Sequence, residues 1–258
     1  MVLPGTGRSY PDWIGGRVTM TEAEWLNSGA PNTMFLYIGG EVLDRKRRLL
    51  ACGLGRHLWP ALKDARSRDA IAVAERFADG AAEVDELAAA EVGSRKAMDA
   101  VRKYERAKER YDCRGTATSV WATGHDVQEW YVGNSAPDPA APAYSSSPRD
   151  TAIWEDAVEA MHKQGGDWHG ELRWLCGAIR CVFGNPFRPV AVPARWRRSA
   201  VVKLARGIYG DRAFDRLPIL ADALQDAGCE DAEVLAHFRG DGPHVRGCWV
   251  VDGVLGKG

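Results

Sequence analysis

Residues 199–228, SAVVKLARGIYGDRAFDRLPILADALQDAG, contain two helix signals in direct succession. Ser199 is a residue type that caps helices, and apolar residues follow it at helical spacing: Val201, Val202, Leu204, Ala205 and Ile208. Asp215 can cap the second helix, which tolerates Pro218 in its first turn and ends at Gly228. The apolar face of this second helix consists of Leu217, Leu220 and Leu224. Two amphipathic helices with a short connection predict an antiparallel helical hairpin.

The same spacing recurs along the rest of the chain. Thr21 and Glu24 form the S/T-x-x-E pattern of a helix capping box, and apolar residues repeat at helical spacing from residue 32 to residue 80. Residues 84–111 give the longest helical pattern. Shorter or weaker patterns cover 118–132, 151–161, 171–183, 231–238 and 245–255, and only residues 248–251 resemble a strand. The sequence therefore predicts an all-α, or nearly all-α, fold of antiparallel helical hairpins.

The proline, glycine and serine content divides the chain into regions. Residues 1–19 show little periodicity and are predicted to be a flexible leader. Residues 133–150, GNSAPDPAAPAYSSSPRD, contain four prolines and four serines and are predicted to be a linker or an exposed loop. They separate an N-terminal helical region, 20–132, from a C-terminal helical region, 151–258. The two regions form either two subdomains or one domain with a long loop.

The composition is that of a globular protein and gives no sign of a membrane span or a signal peptide. The chain has 258 residues, 45% of them apolar, and a net charge of −1, which is the composition of a globular protein with a sizeable core. No apolar run approaches the roughly 20 residues that span a bilayer, and residues 1–19 lack the basic start and apolar core of a signal peptide. We therefore expect a cytoplasmic protein with no membrane partner, whose six cysteines are free thiols.

Charge is distributed unevenly in the C-terminal region. Residues 172–210 contain no acid and eight cations: Arg173, Arg180, Arg188, Arg195, Arg197, Arg198, Lys203 and Arg206. Residues 211–241 contain eight acids against three arginines. One interpretation, which we favour, is that this basic segment pairs internally with Asp211, Asp215, Asp222 and Asp226. The alternative is a surface for nucleic acid or another polyanion, with Trp196 available for stacking beside Arg195, Arg197 and Arg198.

A second candidate site consists of two cysteines and two histidines near the end of the chain. Cys229, His237, His244 and Cys248 supply two thiols and two imidazoles, the ligand types that zinc prefers. Their spacing is not that of a standard zinc finger, because no C-x2-C pair is present. We favour a structural interpretation, in which the cysteines are buried and the histidines cap helix ends. Zinc remains the candidate cofactor.

Two further groups of residues are weaker candidates for a catalytic or metal site. His244, Cys248 and Asp252 follow one another at i,i+4 spacing, which would suit a cysteine nucleophile, its base and an orienting carboxylate. Asp222 and Asp226 are one helical turn apart and could hold Mg²⁺, although a solvated helix face is the favoured interpretation. No glycine-rich phosphate loop, H-E-x-x-H or G-x-S-x-G pattern occurs. An enzymatic activity is therefore disfavoured.

Three stretches of the chain resemble a known family. They are MTEAEWL at 20–26, DARSRDAIAVAERFADG at 64–80 and the C-terminal part from 183 to 256, which includes AFDRLPILADAL and HVRGCWVVD. These stretches are similar to an expanded paralogous family of uncharacterised planctomycete bacterial proteins, for which the resemblance implies no established activity. Members of that family often have a cysteine cluster where this chain has residues 49–56, and Cys52 alone remains of it. A metal or redox role of that segment is therefore not expected.

The functional expectation follows from these patterns taken together. We expect a non-catalytic helical interaction or regulatory module that contacts an unidentified protein partner through its C-terminal region. A nucleic-acid-binding protein that uses residues 173–206 is the alternative. A zinc-binding domain or zinc-dependent enzyme around residues 229–248 is the second alternative.

Overall fold

The computed structural model describes residues 18–38, 44–60, 62–109 and 167–257, and these residues form helices without any strand. The predicted all-α fold is confirmed. The strand candidate 248–251 is wrong, because Cys248 is the N-cap residue of a helix that begins at Trp249. The predicted helices at 118–132 and 151–161, the linker 133–150 and nearly all of the leader lie outside the described residues.

Ten α-helices and two short 3₁₀ turns make up the described part of the chain. The helices are α1 (Glu22–Asn27), α2 (Pro31–Ile38), α3 (Asp44–His57), α4 (Ala65–Ala78), α5 (Val84–Glu109), α6 (Trp168–Phe183), α7 (Ser199–Asp211), α8 (Leu217–Asp226), α9 (Ala232–Arg239) and α10 (Trp249–Leu255). The 3₁₀ turns are Ala194–Trp196 and Phe214–Arg216. None of the helices in these ranges combines the length and the apolar character needed to cross a membrane.

Side-chain caps explain where several helices begin. The capping box predicted at α1 is present, with the backbone N–H of Glu24 donating to Thr21 Oγ1 at 3.2 Å and that of Thr21 donating to Glu24 Oε2 at 2.7 Å. Asp carboxylates cap α4, α6 and α9. The caps predicted for the 199–228 hairpin are wrong. Ser199 is the first residue of α7, and the Phe214–Arg216 turn precedes α8, so neither helix has a side-chain cap.

One hydrophobic core joins the N-terminal and C-terminal regions. Trp25, Met34, Leu50 and Leu54 from α1 to α3 belong to the same buried cluster as the inward faces of α6 to α10. A smaller cluster fills the space between α3, α4 and α5 and contains Cys52, Leu62, Ile71, Val73, Ala74 and Leu87. Helix α3 therefore packs against α4 on one side and α6 on the other. Cys52 is buried in this packing and serves as a small hydrophobic residue.

A buried network of charges also crosses between the two regions. Arg45 on α3 donates to Asp252 on α10 at 2.6 Å and to Asp79, which follows α4, at 2.9 Å. Lys46 contacts the same Asp252 carboxylate at 2.8 Å, and the Tyr209 hydroxyl donates to Asp79 at 2.9 Å. Asp252 is only 1% exposed, so its two cationic partners replace the water that would otherwise solvate it.

Candidate metal centre

Two thiols and two imidazoles meet where three helix ends come together. Cys181 lies in the last turn of α6 and His237 in the last turn of α9. His244 lies in the loop after α9, and Cys248 caps the start of α10. One ligand atom from each of these residues lies within 4.8 Å of the other three. We refer to these four residues as the Cys/His cluster.

Two donor–donor distances within the Cys/His cluster are close to those around a tetrahedral zinc ion. His237 Nε2 is 3.2 Å from Cys248 Sγ, and Cys181 Sγ is 3.8 Å from His244 Nδ1. Zinc bonds of about 2.3 Å to sulfur and about 2.0 Å to nitrogen place neighbouring ligand atoms about 3.3 to 3.8 Å apart in a tetrahedron. Small side-chain rotations are therefore sufficient to bring all four donors to one ion.

The electrostatics of the cluster favour a thiolate. Burial disfavours the charged form of Cys248, but a hydrogen bond from Cys181 and the charge of His237 outweigh it and hold the pKa of Cys248 well below its ordinary value. Burial and the same contact with Cys248 raise the pKa of Cys181. Burial disfavours the imidazolium of His237, yet the charge of Cys248 and its hydrogen bond raise the pKa of His237. The thiolate is the form of cysteine that binds metal ions.

Close packing fixes the loop that carries His244. A Cβ atom at Gly177 of α6 would lie 2.6 Å from Cδ of Pro243, so the proline ring of the loop packs on α6 at a point where a larger residue would force a shift. Val245 packs in the same way against Gly53 of α3, where a Cβ atom would lie 2.8 Å from Cγ1. The second ring nitrogen of His244, Nε2, is buried and has no hydrogen-bond partner among the described residues. The ring is therefore held by packing and by the cluster itself.

Three of the four predicted zinc ligands, His237, His244 and Cys248, are brought together, and Cys229 is not among them. Cys229 is fully buried in the main hydrophobic core, just after Gly228 with its φ of 89°. Burial raises the pKa of its thiol. The fourth donor is Cys181, which sequence spacing does not reveal because it lies on a helix far away along the chain. The available signal was a cysteine in the last turn of a helix that ends at Gly184.

The structure does not support the cysteine nucleophile of residues 244–252 or the Mg²⁺ site of Asp222 and Asp226 that the sequence spacing suggested. Asp252 contacts Arg45 and Lys46, and therefore does not orient His244 for a cysteine nucleophile. Asp222 accepts a hydrogen bond from Arg239 at 2.7 Å, so a cation of the chain already occupies the predicted Mg²⁺ position.

The favoured internal pairing of the basic segment is wrong for the described residues. No ion pair there joins residues 173–206 to Asp211, Asp215, Asp222 or Asp226. Instead, two of these arginines pair with other acids: Arg173 contacts Asp167, and Arg188 contacts Glu22. Two others donate to backbone carbonyl oxygens: Arg180 to Trp25 O and Ser28 O, and Arg197 to Val254 O. Arg195 lies over the ring of Trp196. Arg198, Lys203 and Arg206 are exposed and make no ion pair with described residues.

Trp196 is not placed for stacking on bases. Its side chain is only 6% exposed, and its Nε1–H donates to Gly228 O at 3.0 Å. It links the turn before α7 to the end of α8, which is a structural role.

The Cys/His cluster is therefore a closed set of four protein donors, which is the composition of a structural metal site. No protein-family model, curated protein or solved structure matches this chain.

Proposed function

We propose that this protein is a non-catalytic helical module whose C-terminal helices are held together by one structural zinc ion. The observation that carries the proposal is the convergence of Cys181, His237, His244 and Cys248 within 4.8 Å, from three different helix ends and a loop. Four donors from the protein leave no position for a substrate or a catalytic water, which catalytic zinc sites retain.

The donor set favours zinc over other metal ions. Thiolates select soft or borderline ions, and a mixed set of two sulfur and two nitrogen donors in a tetrahedron is typical of zinc. Magnesium and calcium prefer oxygen ligands, and no carboxylate belongs to this cluster. Both cysteines are buried, which protects a bound ion from exchange with solvent.

The short helices explain what the ion would contribute. Helix α9 has eight residues and α10 has seven, which is too short for a helix to be stable in isolation. The ion would connect the ends of these two helices to α6, the longest helix of the C-terminal core. Binding energy at such a site is folding energy, because the unfolded chain does not hold the four donors together.

The test is the zinc content of the purified full chain, measured by native mass spectrometry and elemental analysis. We expect one zinc per chain in the wild type, one in Cys229→Ser and none in Cys181→Ser. Cys229 is a matched control, because both thiols are fully buried in the same core and only Cys181 belongs to the cluster. A wild-type chain that takes up no zinc, or equal zinc in both variants, would contradict the proposal.

A second candidate function, binding of nucleic acid, is favoured by one specific observation. Arg198, Lys203 and Arg206 lie at or on α7, are exposed, and are left without an ion pair among the described residues. Cations of this kind contact phosphates and release counterions. The triple alanine variant should bind single-stranded or duplex DNA more weakly and with a flatter dependence on salt, by about 0.9 log units for each lost phosphate contact. Unchanged affinity and slope would exclude this candidate.

A further inference from the structure

Three arginines from separate parts of the chain converge on one buried carboxylate. Glu75 of α4 is 2% exposed, and Arg56 of α3 donates to it through Nε at 3.1 Å and Nη2 at 2.8 Å. Arg212, at the end of α7, donates to the same two oxygens through Nε at 3.3 Å and through Nη2. Arg246 reaches it through Nη1 at 3.7 Å. We refer to these four residues as the arginine cluster.

The arginine cluster has a surplus of positive charge. Three guanidinium groups face a single carboxylate, and no other acid among the described residues pairs with any of the three. Their side chains are only 24%, 31% and 13% exposed for Arg56, Arg212 and Arg246, so solvent screens the surplus incompletely. Burial, followed by the charges of Arg246 and Arg56, lowers the pKa of Arg212 to about 10. The described part of the chain therefore leaves this cluster short of negative charge.

The fold holds the cluster in a fixed arrangement. Arg212 has a φ of 52°, in the left-handed region that favours glycine at the end of a helix, and this conformation directs an arginine to Glu75. The guanidinium of Arg56 lies over the ring of Trp59, 4.0 Å from its centre. Arg246 is anchored by donation to Tyr209 O at 3.1 Å and to Gly210 O at 2.9 Å. A pre-positioned set of guanidinium groups needs little ordering to bind an anion.

Donors remain for a ligand. Arg56 and Arg212 both use Nε and Nη2 for Glu75, and their Nη1 atoms make no hydrogen bond with described residues. The planar fork of arginine matches the oxygens of a phosphate group, which carries the negative charge that the cluster lacks.

We propose that the arginine cluster is a binding site for a phosphate group, either free phosphate or the phosphate of a small organic monoester. Arg56 and Arg212 bind the phosphate oxygens through their remaining donors, while Glu75 and Trp59 keep the two guanidinium groups in place. The site uses none of the four donors of the Cys/His cluster, so this inference does not depend on the proposed zinc ion.

The test is isothermal titration of the full chain as purified with inorganic phosphate and with AMP, at ionic strength matched by sodium chloride. We expect saturable binding of at least one of them to the wild type and to Arg216→Gln, with at least a tenfold loss in Arg212→Gln. Arg216 is an exposed arginine a few residues away and controls for the loss of one positive charge. Tighter binding of AMP than of phosphate identifies an organic monoester as the ligand class, and equal affinities identify free phosphate. No saturable binding of either, or equal binding in Arg212→Gln, overturns the proposal.

A second variant keeps the proposal falsifiable if Arg212→Gln does not fold. Glu75→Gln keeps an amide oxygen that accepts from the guanidinium groups but removes the only negative charge of the cluster, and it should increase the rise in melting temperature that phosphate produces, relative to the wild type. A cluster with a purely structural role would lose stability in this variant and gain nothing from phosphate beyond the effect of matched chloride, which would overturn the proposal. Zinc content measured on the same samples separates this result from a failure of the metal site.

Discussion

Asp252 on α10 and Cys248, one turn earlier at its start, each belong to a polar cluster. The two clusters differ in the groups that partner these buried side chains. Asp252 is buried, and Arg45 and Lys46 compensate its charge from within the chain at 2.6 and 2.8 Å. Cys248, four residues earlier, lies within 4.8 Å of another thiol and two imidazoles. A buried network whose charges are compensated within the chain needs no external ligand and has a structural role. A set of four convergent thiol and imidazole donors instead has the composition of a metal site, for which we propose an ion from outside the chain.

The largest expected effect tests the proposed zinc ion of the Cys/His cluster. Removal of zinc by a chelator should lower the melting temperature of the wild type by more than about 10 °C, because metal binding at such a site would be part of folding. Cys181→Ser should melt at the chelated temperature and should not respond to the chelator. Differential scanning fluorimetry with and without EDTA measures both. Cys229→Ser serves as the control and should still respond, and a wild type that is insensitive to the chelator would remove the distinction between the two clusters.

The next effect tests the cluster of Asp252, Arg45 and Lys46, whose charges are compensated within the chain. Asp252→Asn leaves Arg45 and Lys46 short of one partner in a buried site and should reduce the free energy of unfolding by about 3 kcal/mol. This loss should be the same with and without zinc, as measured by urea unfolding of both forms. Asp222→Asn breaks an exposed pair with Arg239 and should cost less than about 1 kcal/mol. A loss in Asp252→Asn that appears only in the zinc-bound form would show that the two clusters act as one.

A smaller effect tests whether packing positions the metal ligands. Gly177→Ala introduces a Cβ atom 2.6 Å from Pro243, next to His244, and should cost about 1 to 3 kcal/mol while weakening zinc binding in a competition titration. Gly207→Ala on α7 is the control. No atom lies within 4 Å of the added Cβ there, and the variant should be stabilised by up to about 1 kcal/mol with zinc affinity unchanged. Unchanged zinc affinity in Gly177→Ala would show that the loop tolerates the shift.

The smallest effect concerns acid, and it is measured on metal-free protein so that loss of zinc does not contribute. Burial opposes ionisation of Asp79, but hydrogen bonds from Arg45, Lys257 and Tyr209 outweigh it and lower its pKa. A carboxyl with a lowered folded-state pKa adds stability above its unfolded pKa of about 3.9 and loses it as the pH falls through the folded value. The difference in stability between wild type and Asp79→Asn should therefore shrink below about pH 4. A difference that is constant with pH would contradict this.

Much of the fold was predictable because helical periodicity and capping residues are local signals. The capping box of α1 and the apolar faces of α7 and α8 follow from neighbouring residues alone. The start of α8 was missed because a 3₁₀ turn from Phe214 to Arg216 continues directly into it, which Asp215 does not reveal. The shared core of the two regions was also not predictable, since sequence spacing does not show which helix faces meet.

The candidate site was predictable only as far as its residues are close in sequence. His237, His244 and Cys248 belong to one short segment and were found from their chemistry. Cys229 is closer to these residues along the chain than Cys181 is, but the hydrophobic core surrounds it completely. The expected pairing of basic and acidic segments was wrong for a similar reason, since complementary composition does not determine which side chains face each other.

Lys46 has a consequence for chemical labelling. Its ammonium group lies 2.7 Å from Gly247 O, 3.1 Å from Val182 O and 2.8 Å from Asp252, so each of its three protons faces an acceptor. An amine with all three protons engaged and a side chain only 13% exposed should react slowly with an acylating reagent. The rate at which Lys46 is acetylated therefore reports the separation of α3 from the ends of α6 and α10, and it does so without any probe added to the protein.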